Sequence, residues 1–208
     1  MLYPKNNLFM KWIFRTYVNR LVKNEFHEIT YNNVLIDPER SVLLIGNHFS
    51  FWDGLILFYL NEKLFKKKFH VMILEETARK SSMLRYGGAF TVNKTSKDVI
   101  ASLNYAAELL KDPSKLVLMF PQGKLFSNFV EEVKFEKGVM RLIDKAGERC
   151  QVIFAATFIQ YFRHKKPNVN VYLEAPVREY AGLDITKLQN DYQQLYKAGH
   201  EQQTKIEI

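Results

Sequence analysis

One cysteine, Cys150, in 208 residues rules out an internal disulfide framework and any metal site built on a cluster of cysteines. That scarcity suits a reducing compartment. Nine glycines and six prolines are too few for a collagen-like or Pro/Gly-rich disordered chain, and aromatic residues at 14% argue against disorder. No apolar run approaches the roughly 18–20 residues that span a bilayer. Lys11 and Arg15 break the N-terminal stretch, and Lys66 to Lys68 close the next. Nor does an apolar segment with a small-residue cleavage site open the chain, so a cytoplasmic location is expected.

What is present is the mix of one compact domain: 47% hydrophobic and 25% charged residues, with a formal net charge of +8. A basic chain prefers anionic partners, which leaves nucleic acid, an acidic bilayer surface or an anionic small molecule. No helix-turn-helix, zinc-finger or RNP-like strand is visible and the basic residues are dispersed, which disfavours nucleic acid.

From Lys5 to Lys23 apolar residues fall in pairs (Phe9-Met10, Ile13-Phe14, Tyr17-Val18, Leu21-Val22) four apart, the spacing of one helix face. Lys11, Arg15, Arg20 and Lys23 lie largely between them. Such a basic amphipathic helix with Phe9, Trp12, Phe14 and Tyr17 either packs on its own domain or lies among lipid headgroups. Residues 1–24 are therefore set apart as an amphipathic helix, and residues 25–208 as the main domain.

Beyond it, short β-rich runs alternate with helical ones. Strands are expected at 41–45, 69–74, 89–92, 115–120, 152–159 and 168–173, and helices at 52–65, 77–86, 96–110, 136–146 and 185–203. This alternation predicts an α/β domain with a mixed, mostly parallel sheet flanked by helices.

Three blocks fall at strand ends, where parallel sheets bind ligands. Asn47-His48-Phe49-Ser50-Phe51-Trp52-Asp53 sits where a strand enters a helix. With His48 in the turn and Asp53 in the first helical turn, the carboxylate can reach back and orient the imidazole as a general base. The same residues also suit a capping box with Ser50 as N-cap, and spacing does not choose between the two. Phe120-Pro121-Gln122-Gly123-Lys124 offers a strand stop, a permissive glycine and a cation. Gly88 to Lys94 delivers Lys94 to a strand end.

In this order the blocks resemble the glycerolipid acyltransferase family typified by 1-acylglycerol-3-phosphate acyltransferase. Its Asn-His-x-x-x-x-Asp, Gly-x-x-Phe-x-x-Arg and Phe-Pro-Glu-Gly-Thr blocks match Asn47 to Asp53, Gly88 to Lys94 and Phe120 to Lys124. The resemblance runs from about Val42 to Pro176. It implies transfer of a fatty acyl group from acyl carrier protein or coenzyme A to a lysolipid-like acceptor. His48 would be the general base and Asp53 its orienting carboxylate, with no cofactor and no metal. Asn47, Lys94, Pro121, Gln122, Gly123 and Lys124 would line the substrate site, and backbone amides around Gly123 are candidate oxyanion donors.

Three departures stand out. Lys94 replaces the family's arginine, and Gln122 and Lys124 replace its glutamate and threonine. The last two make the pocket more cationic by about two charges. This keeps a phosphate- or carboxylate-bearing acceptor in view and leaves lysophosphatidate, another lysolipid or an amino-acid lipid open, along with a catalytically idle lipid-binding relative. For an acceptor held in a bilayer, the N-terminal helix, through Phe9, Lys11, Trp12 and Arg15, would dock on an anionic membrane surface. That places the protein peripherally on the inner face of the cytoplasmic membrane.

Overall fold

The computed structural model describes residues 1–93 and 95–207; Lys94 lies outside them. Seven strands form one sheet in the order β1-β7-β6-β2-β5-β3-β4. They are β1 Glu28–Tyr31, β2 Ser41–Gly46, β3 Lys68–Leu74, β4 Ala89–Val92, β5 Lys115–Met119, β6 Cys150–Gln160 and β7 Asn168–Glu174. Every ladder is parallel except that between β6 and β7. β2 is central, and all six of its residues are buried. A strand covered on both faces needs a continuous apolar run, which Val42-Leu43-Leu44-Ile45 supplies.

Alternate side chains of the sheet feed two cores. Leu43, Ile45, Val117, Met119 and Phe154 meet α4 (Ser96–Leu109), α5 (Gly138–Ala146) and α6 (Ile185–Thr204). Val42, Leu44, Leu116, Leu118 and Ile153 meet α1 (Leu8–Glu25) and α2 (Asp53–Leu60) on the other face. Three helix starts carry side-chain caps. Asn7 accepts from the Met10 N–H, Thr95 from the Asp98 N–H and Asp184 from the Thr186 N–H.

The α/β architecture matches the expectation, with local differences. The helix expected over 77–86 is two pieces, α3 (Glu75–Lys80) and a 3-10 turn at Ser82–Gly87, broken at Ser81. Two adjacent serines, poor interior helix formers, stand at the break. α5 begins two residues late, and the Glu136 N–H ahead of it donates to the Pro121 carbonyl (2.8 Å). β1 was not anticipated, since three of its four residues are exposed and no alternation marks it.

α1 packs on the domain: Phe14, Val18 and Val22 are buried in the second core together with Phe26. Gly87 lets Phe14 in, as a Cβ there would lie 2.1 Å from the Phe14 ring. The opposite side of α1 carries Phe9 and Trp12, 67% and 61% exposed.

Candidate active site

The chain leaves β2 at Gly46 and enters α2 at Asp53, and the turn between them is tied to both neighbouring strands. On the β6 side, Asn47 Nδ2 donates to the Thr157 carbonyl (2.9 Å) and its Oδ1 accepts from the Thr157 N–H (2.8 Å). On the β5 side, the His48 N–H donates to Gln122 Oε1 (2.6 Å), and the His48 carbonyl accepts from the Phe126 N–H (3.0 Å). The backbone of His48 is thus clamped at both its polar groups.

The side chain is held as firmly. His48 Nδ1 lies 2.8 Å from Asp53 Oδ2. Asp53 is fully buried, and the same oxygen accepts from the Phe49 and Ser50 N–H groups at 2.7 and 2.9 Å. Its other oxygen accepts from Ser50 Oγ (2.8 Å), which accepts in turn from the Trp52 N–H (3.0 Å). One carboxylate therefore fills both roles that the spacing left open, satisfying turn amides and orienting the ring. An ionised carboxylate only accepts, so in the neutral ring the proton sits on Nδ1 and the lone pair on Nε2. Phe120 stacks on the imidazole (centroids 4.3 Å apart, planes 13° apart), fixing its plane. The His48 side chain keeps 27% of its surface open, so the ring is reachable from solvent.

Of the remaining sequence-derived residues, Pro121 and Gln122 are buried, while Gly123 and Lys124 are exposed. The carbonyl oxygen of Gln122 is engaged with His48 and is not presented to a substrate. Gly123 adopts φ +67°, the left-handed region, and its N–H closes a turn onto the Phe120 carbonyl (3.2 Å). That amide, a candidate oxyanion donor, is therefore already occupied. Lys124 Nζ lies 5.1 Å over the Phe126 ring at the rim. Lys94 lies outside the described residues.

Phe9, Lys11, Trp12 and Arg15 lie on the first half of α1, away from His48. Arg15 is paired with Glu62, and Lys11 Nζ donates to Asn6 Oδ1 (2.9 Å). The other end of α1 approaches the site through Phe26, whose ring meets Trp52 edge-on at 5.2 Å.

Sequence reasoning missed three contributors: Gln122 as a clamp, Phe120 as a stacking plate and Tyr192. The Tyr192 hydroxyl, from α6, donates to the Ala155 carbonyl (3.0 Å) and lies 3.4 Å from Asn47 Oδ1. Nothing local in a polar terminal helix signals that role. Burial pushes the Cys150 thiol up to about 12, which leaves it inert as a nucleophile. Among the described residues no group of three or more His, Cys, Asp or Glu is arranged to hold a metal ion. A cavity of about 440 Å³ lined by Ile36, Leu64, Phe65 and Lys67 lies by the N-terminal ends of β2, β3 and β5, without a catalytic pair.

Comparison with known proteins supplies the context for this geometry. The family model described as Acyltransferase matches residues 25–160, which include His48, Asp53 and the loop after β5. No curated protein matches in sequence. Among solved structures, the chain is similar to the 1-acyl-sn-glycerophosphate acyltransferase PlsC from Thermotoga maritima. The TM-score is 0.67 at 17% identity, over 95% of this chain and 81% of that one.

Proposed function

The chain belongs to the acyltransferase family, and from that premise we propose that it moves a fatty acyl group from a thioester donor to the hydroxyl of a lysolipid acceptor. The observation that carries this reading is the 2.8 Å contact of His48 Nδ1 with a buried, amide-bound carboxylate, which leaves Nε2 as the basic nitrogen of the ring.

In the proposed step the acceptor hydroxyl attacks the thioester carbonyl while Nε2 takes its proton, forming a C–O bond and a tetrahedral oxyanion. Asp53 stabilises the imidazolium. Collapse breaks the C–S bond, and the imidazolium returns the proton to the departing thiolate. The products are an ester and a free thiol, and no acyl-enzyme forms. The donor is acyl carrier protein or coenzyme A. The cation at Lys124 favours an acceptor bearing phosphate or carboxylate. Lysophosphatidate, the substrate in the name of the Thermotoga maritima protein, is the first to test. The same proposal has α1 lying on an anionic membrane surface through Phe9 and Trp12, on the inner face of the cytoplasmic membrane. Among the described residues no helix is long and apolar enough to cross a membrane.

The test is incubation with labelled acyl thioesters and a panel of lysolipids and amino-acid lipids, with products identified by mass spectrometry. His48→Ala should lower turnover by about 10²–10⁴ while the melting curve is retained. Wild-type turnover by that variant would remove His48 as the base.

A further inference from the structure

Large apolar side chains stand out in solvent at one edge of the molecule. β2, β5 and β6 run parallel; β2 and β5 end together, β6 continues five residues past the level of Gly46, and the segments leaving the three carry Phe51 (68% exposed), Leu125 (55%), Phe129 (85%) and Tyr161 (69%). Hydrogen bonds tie the segment after β5 to His48 on one side and to the end of β6 on the other. The Phe126 N–H reaches the His48 carbonyl (3.0 Å), and Asn128 Nδ2 reaches the Ile159 carbonyl (3.3 Å), two residues before Tyr161. Soluble chains seldom gather so many exposed apolar groups in one place without a use for them.

Their exposure is built in. The segment after Phe129 is pinned to α6 by the Val133 N–H to Gln193 Oε1 (2.9 Å), the Phe135 N–H to Gln189 Oε1 (2.9 Å) and Tyr196 Oη to the Val130 carbonyl (2.9 Å). A loop fastened by its backbone holds Phe129 outward.

Charge selects the occupant. Arg163, Lys165 and Lys166 follow Tyr161 with no acidic residue between them and Pro167, and all three are exposed. In the loop after β5 the charges cancel, with Lys124, Lys134 and Lys137 set against Glu131, Glu132 and Glu136. The rim is therefore apolar at its tips and cationic on the β6 side, the composition of a surface that sits among anionic headgroups. Trp52 joins Phe51 to the buried Phe26 at the C-terminal end of α1, with ring centroids 5.7 and 5.2 Å apart.

We infer that Phe51, Leu125, Phe129 and Tyr161 insert into an anionic lipid leaflet and seat the His48 mouth directly on it. This rests on the acyltransferase reading for its purpose, since an acceptor so presented reaches Nε2 without leaving the leaflet, but not for its test. The full chain and a Phe129→Ser, Tyr161→Ser double variant are sedimented with phosphatidylcholine–phosphatidylglycerol vesicles containing no substrate. The double variant should keep its melting curve and lose about tenfold in partition. Val177→Ser, at a fully exposed residue after β7, should leave partition unchanged. Equal partition of the double variant and the wild type overturns the inference, as does loss only of binding to an acidic acyl carrier protein. Partition requires no turnover, so an inactive protein that still depends on the rim would fail the acyltransferase reading alone.

Discussion

At the scale of single residues, Asp53 is bound to more groups than a helix cap requires. It accepts from the Phe49 and Ser50 N–H groups and from Ser50 Oγ while facing His48. Asp53→Asn puts an amide where donors converge and reverses the partner offered to Nδ1. Activity should fall by about 10²–10⁴, and stability by about 1–3 kcal/mol, in acyl-transfer assays and denaturant titrations. Gln122 separates charge from positioning. Gln122→Glu retains an acceptor for the His48 N–H and should keep most of kcat. Gln122→Ala frees that N–H and should lower kcat about tenfold or more at similar KM. Equal kcat for the two variants would leave the clamp without a role.

Away from the site, His70 is pushed down to about 4, by burial first and by Lys115 next, with the Gly88 carbonyl opposing. The fold favours the neutral ring, so this contribution is whole above about pH 6.5 and drains away as pH falls toward 4, by at most about 3 kcal/mol. His70→Val should flatten that acid limb in denaturation midpoints. The sequence carried the types of His48 and Asp53 and their place in a turn. It did not carry the clamps, because Gln122, Thr157 and Tyr192 reach the turn only after distant strands align.

At the scale of elements, legibility followed burial. β2 and β5, continuous apolar runs, appear within a residue of expectation, whereas the exposed β1 had no pattern to read. The amphipathic spacing of α1 was plain, but its inward partners were not, because Phe14 needs the space left by Gly87. Gly87→Ala should lower the melting temperature, with a loss of about 1–3 kcal/mol, since the added methyl overlaps the Phe14 ring. Hydrogen exchange should locate the loosening in α1. An unchanged melting curve would mean that α1 adds little to the fold.

For the molecule as a whole, the net charge of +8 is a statement about association, not architecture. If a leaflet is the partner, the partition on phosphatidylglycerol-containing vesicles should drop several-fold as the Debye length shrinks from about 30 Å to about 8 Å. Neutral vesicles should show little of that dependence.

Tyr192 has a temporal consequence. α6 lies outside the matched residues 25–160, yet its hydroxyl reaches the carbonyl of Ala155 and the neighbourhood of Asn47. Its glutamines also tie down the segment after β5. During translation that helix is made after the whole matched segment, so a nascent chain has its histidine and aspartate long before it has their supports. Acyl transfer, on the proposed reading, should therefore be withheld until α6 has emerged. A chain stalled at Asp184 should be nicked by protease in the loop after β5 where the released protein resists.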